Sequence, residues 1–412
     1  MYHLNNIDKK ITRLEDLRSV KVNETAIFII NKMFIERWTT AQISDHFQVP
    51  KVQIEEDVED LLEGLRVEGF EMLEGNILDV SCKRLDLSAI WTPTTPIIHI
   101  IQNCNSPCIM CDCWKTRETV RHGKDVLFPF FDELEARGVK SVMISGGEPL
   151  MHPELKEIIE NVKSRGMRIE LNTNGFLLHK NTWILDSDVD EIVISIDAPE
   201  KNEYHRVRGA NKLDLVLDNI RLFKSTSPGQ SIGMRATVTN AILGDLHASL
   251  SAFSSFGVDF IGFSPLDVSS VSFSRNDNTN VRAKHLEDEL LPDRQSLEVL
   301  KKELQNENGK LSKLITEMCN QGKISWSAFN FIKCIDYYLS DDDPYLQSEE
   351  LCNFPYSSLV LDYNGDVRNC FYSKPFGNIY NVTDIDWSGT ESISDLKSSG
   401  ACVGCRGKIF CG

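Results

Sequence analysis

Cysteine is the residue type in this sequence best placed to do chemistry. Twelve cysteines stand at positions 82, 104, 108, 111, 113, 319, 334, 352, 370, 402, 405 and 411 of a 412-residue chain. Four fall within 104–113, none falls between 114 and 318, and three fall within 402–411. Thiols that only fill a core would be scattered, whereas two tight groups read as two metal sites. In CNSPCIMC, Cys104, Cys108 and Cys111 have C-x3-C-x2-C spacing. Three thiolates on one short loop can hold three corners of a cubane [4Fe–4S] cluster and leave the fourth iron without a protein ligand. Cys113 follows Cys111 too closely to reach a separate iron without strain and is read as a neighbour. Tetrahedral zinc is the competing reading, although zinc favours paired C-x2-C knuckles or a nearby histidine.

The rest of the composition sets bounds. Hydrophobic residues make up 41% and charged residues 25%, an ordinary globular balance, and the length suits roughly two or three domains. A net charge of -17 argues against nucleic acid or an anionic membrane as the partner. No apolar run is long enough to span a bilayer, and MYHLNNIDKK lacks the pattern of a secretory signal. A cytoplasmic location follows as an expectation, and with it thiolate metal ligands in place of disulfides.

These cysteines need elements to position them. Residues 1–90 read as three short helices and a hairpin, a winged helix-turn-helix. Asn23 caps the first helix, Thr39 or Thr40 the second, and Pro50 opens the third. In that third helix Ile54, Val58, Leu61, Leu62 and Leu65 share one face, and FEMLEGNILDV turns at 74–76. DNA binding is argued against by 11 basic and 17 acidic residues in 1–90, six of the acidic ones (Glu55, Glu56, Asp57, Glu59, Asp60 and Glu63) on the third helix. A peptide or protein partner fits better, or a structural cap. WTPTTP (91–96) marks a boundary. From 97 to about 265, six strands are predicted at 97–101, 141–145, 168–173, 191–196, 233–238 and 259–264, separated by amphipathic helices. The fold class is α/β, a partial (β/α)6 TIM-like barrel over 97–330. A small cysteine-bearing domain is expected over 331–412.

CNSPCIMCDCW resembles the signature of the radical S-adenosylmethionine (SAM) enzymes. The resemblance covers 97 to about 265 and extends to the C-terminal region. It implies that Cys104, Cys108 and Cys111 hold a SAM-binding [4Fe–4S] cluster. It further implies that the SGGEPL turn, Gly146, Gly147, Glu148 and Pro149, receives the amino group of SAM, with Glu148 as acceptor. Polar strand ends in the family hold the ribose and methionine parts; here these are Asn172 of LNTNG, beside Thr173 and Asn174, and Ser195 and Asp197 of SIDA. Arg235 matches the SAM carboxylate, and Phe263 is assigned to adenine. HRVRG (205–209) is a candidate SAM or substrate loop. Most of these motifs fall at the C-terminal ends of strands, where barrel enzymes gather their sites.

The later cysteines resemble the auxiliary-cluster domains of the same family. The shorter twitch form, with Cys352, Cys370, Cys402 and Cys405 on one auxiliary [4Fe–4S] cluster, fits better than the longer SPASM pattern, whose later C-x3-C is missing from this sequence. Cys411 is spare or an alternative ligand, Cys319 and Cys334 are expected as buried thiols, and a zinc ribbon is the competing reading. An electron donor of the flavodoxin or ferredoxin type is implied. The acidic N-terminal region resembles peptide-recognition domains that bind a leader peptide by strand addition, which points to hydrogen abstraction from a ribosomally made precursor peptide. The alternative is a dehydrogenase or decarboxylase acting on a sugar or aminocyclitol. No catalytic acid or base can be assigned from the sequence.

Overall fold

In the computed structural model the described residues are 2–5, 10–13, 19–21, 26, 29–30, 32–33, 39–47, 49–67, 77–79, 93–268, 280–339, 358–371 and 373–387. The chain divides into two compact units, 1–90 and 91–412.

In the first unit, β1 (Tyr2–Asn5), β2 (Lys10–Arg13), β3 (Ser19–Lys21) and β4 (Ile77–Asp79) form a sheet of order β3-β2-β1-β4. β1 and β2 are antiparallel, as are β2 and β3, while β4 runs parallel to β1. Helices α1 (Thr40–Phe47) and α2 (Lys51–Val67) follow the capping and proline signals. Ile54 and Val58 of α2 meet Ile29 and Ile43 in a small core, with Leu61 and Leu62 packed against it. Three strands ahead of the first helix were not expected. Each is three or four residues of mixed polarity, too short to show a period of two. Ile77–Asp79, read as one arm of a hairpin, pairs with β1; the other arm and the turn at 74–76 lie outside the described residues.

In the second unit six parallel strands stand in the order in which they occur, β5 (Ile97–Ile101), β6 (Ser141–Gly146), β7 (Arg168–Thr173), β8 (Glu191–Ser195), β9 (Ser231–Val238) and β10 (Phe260–Pro265). Between them run α3 (Lys124–Ala136), α4 (Leu155–Ser164), α5 (Lys201–Arg208), α6 (Leu213–Thr226), α7 (Asn240–Leu243) and α8 (Leu246–Ser254). This is the expected parallel α/β architecture. Ile169 and Leu171, Ile192 and Ile194, and Met234 and Ala236 are fully buried against the helices; β7 alternates strictly, whereas β5 and β8 are buried along most of their length. In α4, Leu155, Ile158, Ile159 and Val162 supply the matching stripe at i, i+3, i+4 and i+7. Burying a side chain of this size contributes roughly 1.5–3 kcal/mol, so this helix-facing layer fixes which way the other face of the sheet looks.

The domain boundary expected at 331 falls inside a helix. Helix α12 (Ala328–Leu339) runs through that boundary, after α9 (Asn280–Leu290), α10 (Arg294–Gln305) and α11 (Lys310–Asn320). Strand β11 (Val360–Leu361) adds parallel to β5, and β12 (Asp366–Arg368) and β13 (Gly377–Asn378) continue antiparallel, giving the sheet order β10-β9-β8-β7-β6-β5-β11-β12-β13. Val360 and Leu361 are fully buried, so the edge of the barrel sheet is covered by the chain's own later segment.

Candidate active site

The cysteine loop leaves the C-terminal end of β5. Cys108 is buried; Cys104 and Cys111 are half-buried. Two later turns close on this loop. The Gly147 N–H donates to Ile101 O at 2.7 Å and the Glu148 N–H to Asn103 O at 2.9 Å. A Cβ on Gly147 would lie 2.0 Å from Gln102 O. The glycines of SGGEPL are therefore needed for a close approach to the cysteine loop's own backbone, and not only to a ligand. On the other side, Gly209 ends α5 with φ 69°, and a Cβ there would lie 2.2 Å from Pro107 O. The Ile109 N–H donates to Val207 O at 3.0 Å, and Ser106 Oγ donates to Arg208 O at 3.1 Å. HRVRG thus forms the last turn of a helix that braces the loop.

Glu148 is fully buried. Its Oε1 accepts from Thr173 Oγ1 at 2.6 Å and from Leu150 N at 3.1 Å, and its Oε2 accepts from Asn174 N at 2.8 Å. Burial raises its pKa against these hydrogen bonds. A carboxylate has about four acceptor directions, so three are committed to the chain itself. Asn174 carries the connection on to the cysteines: its Nδ2 donates to Asn105 Oδ1 at 2.7 Å and lies 3.8 Å from Cys104 Sγ.

Asp197 is likewise committed. Its Oδ2 accepts from Arg208 Nη1 at 2.9 Å and its Oδ1 from Thr237 N at 2.7 Å. Burial opposes the charge on Arg208, but Cys108 and Asp197 outweigh it and hold its pKa well above the ordinary value. Arg208 places a cation beside Cys108, whose Sγ is also 3.3 Å from Ser106 Oγ. HRVRG stood out in the sequence as a loop candidate, but the pairing of Arg208 with Asp197 and Cys108 did not, because α5 brings it from about a hundred residues along the chain; Ser106, inside the cysteine loop itself, was passed over between its cysteines.

The face of the sheet away from the helices is polar. Glu170, Asn172, Glu191, Ser195 and Arg235 are half-buried on it, alternating with the buried aliphatic residues. Ser195 is paired in register with Arg235, and Arg235 Nη2 donates to Glu170 Oε1 at 3.4 Å. Burial raises the Glu170 pKa while Arg235 opposes it. Phe263 does not share this face, contrary to the adenine assignment. It is in register with the fully buried Ala236 and packs edge-on to Phe331 and tilted to Trp326 at 5.1 and 5.7 Å between centroids. Strand alternation puts it on the side opposite Arg235.

The three thiols suit a cluster. Burial pushes the Cys104 thiol up to about 12, with the charge of Glu148 and then of Cys108 acting in the same direction. The Cys111 thiol is raised too, first by its hydrogen bond to Cys113, then by burial. Among the described residues no three His, Cys, Asp or Glu side chains converge on a single ion. Cys113 is buried, with its Sγ 3.2 Å from Tyr363 Oη. Tyr363 stacks on His99 at 4.7 Å, and Phe371, next to Cys370, stacks on the same imidazole at 5.4 Å. Cys334 is buried and Cys319 half-buried. Cys82, Cys352, Cys402, Cys405 and Cys411 lie outside the described residues.

Residues 98–245 match the family described as the Radical SAM superfamily, and this stretch is a radical SAM domain. A probable GTP 3′,8-cyclase of Methanococcus maripaludis (strain C7) is 33% identical over 129 residues, 30% of this chain and 43% of that one. A second, from Metallosphaera sedula, is 40% identical over 90 residues, 21% of this chain and 28% of that one. The chain thus spans less than half the length of these curated relatives. Among solved structures, Streptococcus suis SuiB bound to precursor peptide SuiA is similar with a TM-score of 0.53 and 14% identity over 97% of this chain and 88% of that one. Native anSMEcpe with bound AdoMet and the Cp18Cys peptide is similar with a TM-score of 0.51 and 16% identity over 77% and 88%. At these identities the likeness is one of fold. No helix among the described residues is long and apolar enough to cross a membrane.

Proposed function

We propose that this chain is a radical SAM enzyme that abstracts hydrogen from a ribosomally made precursor peptide, leaving a crosslink, a thioether or an epimerised residue. The observation that carries the chemistry is the loop of Cys104, Cys108 and Cys111, clamped between Gly147 and Gly209 at the strand ends of the radical SAM domain. When bound, the cluster and SAM supply one-electron reductive cleavage and a 5′-deoxyadenosyl radical. The three cysteines would ligate the cluster, and Asn174, whose Nδ2 lies 3.8 Å from Cys104 Sγ, would donate a hydrogen bond toward its sulfur ligands, a lever on redox potential. Asn172, Ser195 and Arg235, on the polar face, would orient SAM, with Arg235 matched to its carboxylate. Gly146, Gly147, Glu148, Pro149 and Asp197 would act mainly by holding that geometry, with one acceptor direction of Glu148 left for the amino group. Cys352, Cys370, Cys402 and Cys405 would hold the auxiliary [4Fe–4S] cluster.

The peptide half of the reading is supported by the likeness to the SuiB–SuiA complex, which runs over 97% of this chain, and by the acidic α2. In the N-terminal sheet β3 ends the described strand order and offers an edge for a leader strand. A small-molecule substrate is the second reading, favoured by the cyclase relatives. These two alignments, of 129 and 90 residues, cover 30% and 21% of this chain. The test is incubation of the reduced, reconstituted full chain with SAM and the short peptide encoded beside its gene. A mass change in the peptide is expected. An unchanged peptide, with 5′-deoxyadenosine formed only when a small molecule is added, would move the assignment to the second reading.

A further inference from the structure

The surface next to the cysteine loop has a charge and a construction that the reading above does not use. The chain carries -17 overall, yet residues 114–124 hold four basic residues (Lys115, Arg117, Arg121 and Lys124) and one acidic residue, Glu118. All four basic residues are exposed. Lys124 faces Glu154 and Glu157 at 3.7 and 3.9 Å, and Lys115 pairs with Asp112 at 2.8 Å, so the outward field rests mainly on Arg117 and Arg121. Trp114 is 39% exposed, and its indole N–H is shared between Cys111 O at 2.8 Å and Cys108 O at 3.3 Å. Its ring therefore lies against the backbone of two cluster ligands while presenting apolar surface to solvent.

This segment is also held in place. Asn103, the residue before Cys104, donates through Nδ2 to Glu118 O at 2.9 Å and accepts at Oδ1 from Val120 N at 3.0 Å. The Gln102 N–H donates to Val120 O, and the His122 N–H donates to Ile100 O, both at 2.9 Å. A loop tied back by four hydrogen bonds keeps its arginines beside the cysteines at little further entropic cost on binding.

Resting on the proposed radical SAM chemistry, we infer that Trp114, Arg117 and Arg121 form the docking platform for an acidic one-electron carrier protein. Across most of this chain an acidic partner meets like charge, whereas here it meets opposite charge around an aromatic anchor. Electrostatic complementarity of this kind acts chiefly on encounter rate and orientation. Docking on Trp114 would bring a flavin or iron–sulfur carrier against the loop that holds Cys108 and Cys111. The electron then passes one way, from the reduced carrier, which is oxidised, to the cluster, which is reduced.

The test uses the full, reconstituted chain and its R117E/R121E variant. SAM cleavage is driven either by reduced flavodoxin or by dithionite, and binding of labelled oxidised flavodoxin is measured separately. The variant should lose at least tenfold in the flavodoxin-driven rate and in flavodoxin affinity, with the dithionite-driven rate within twofold of the parent. Raising the salt concentration should weaken parent binding far more than variant binding. Unchanged flavodoxin affinity overturns the platform whatever the activity, and equal loss in both rate arms overturns it as well. A short DNA duplex that binds as tightly as flavodoxin would make the patch a general anion site and overturn it too. A parent chain that cleaves no SAM even with dithionite counts against the radical SAM reading, while the binding arm still decides the platform.

Discussion

Asp197 Oδ2 and Arg208 Nη1 are 2.9 Å apart, with side chains 2% and 11% exposed. Removing one member of a buried ion pair leaves the other charge without compensation, at about 3–5 kcal/mol. D197A is therefore expected to destabilise the barrel by an amount of this order and to loosen the cysteine loop, because Arg208 also lies beside Cys108. Denaturant unfolding of the metal-free chain measures the effect. A parent-like midpoint combined with weak SAM binding would return Asp197 to a ligand role.

Glu148 makes a related case with a different separation of effects. It receives three donors while fully buried, and each donor left unsatisfied costs about 1–3 kcal/mol. E148Q keeps the shape but turns one acceptor into a donor that faces Thr173, Leu150 or Asn174. We expect a lower unfolding midpoint and reduced iron uptake before SAM is added. If Glu148 served only the SAM amino group, the midpoint would stay put and SAM affinity alone would fall.

These two carboxylates show what the sequence could tell and where it stopped. Both stand in motifs that the family resemblance assigns to the site, and both lie just beyond strand ends. Their present partners, Thr173, Asn174, Arg208 and Thr237, come from other strands and helices, and no local spacing records such pairings. The six barrel strands were legible because burial demands short aliphatic runs, alternating in β7 and nearly continuous in β5 and β8. Phe263 was misjudged because a strand's period says that two faces exist but not which one is polar. The strands before residue 22 are too short to have a period, and the addition of β11 to β5 is a long-range pairing that the proline linker and cysteine spacing do not announce.

The glycine contacts give a sharper mutational test. In G147A the new methyl meets Gln102 O and Asn103 O at 2.0 and 2.3 Å, and in G209A it meets Pro107 O at 2.2 Å in a left-handed conformation. Backbone cannot move aside as a side chain does, so each variant should lose about 1–3 kcal/mol or more. Gly138, also at positive φ, has open space where a methyl would stand, with nothing within 4 Å, and serves as the control: G138A should cost only its conformational strain, of order 1 kcal/mol. Equal losses in G209A and G138A would show that left-handed strain, and not the closing of the loop, is what matters at Gly209.

Iron analysis separates the two cysteine groups. Two [4Fe–4S] clusters require about eight iron atoms per chain, and one requires about four. The triple variant C104A/C108A/C111A should retain about four and lose all SAM cleavage. C370A should retain about four and still bind SAM. A parent chain with about four iron atoms would remove the auxiliary cluster from the proposal, leaving the first site standing.

His99 supplies a pH prediction. Burial, reinforced by His122, pushes its pKa down to about 3, and its Nδ1 is buried with no hydrogen-bond partner. In the unfolded chain a histidine titrates near ~6.5. Above that pH both states are neutral and His99 adds no pH dependence. Between roughly 6.5 and 3 the unfolded state binds a proton that the folded state refuses, so stability falls with falling pH by about 1.4 kcal/mol per unit. His122 and His152, also lowered by burial, add slope of the same sign. Phenylalanine fits a ring already stacked between Tyr363 and Phe371, so H99F should match or exceed the parent's stability at pH 7. Urea unfolding at pH 7, 6 and 5 should give a shallower decline for H99F, by about 1.4 kcal/mol per unit. Parallel declines for parent and variant would mean that His99 is protonated within the fold, and that the Tyr363–His99–Phe371 stack holds a cation.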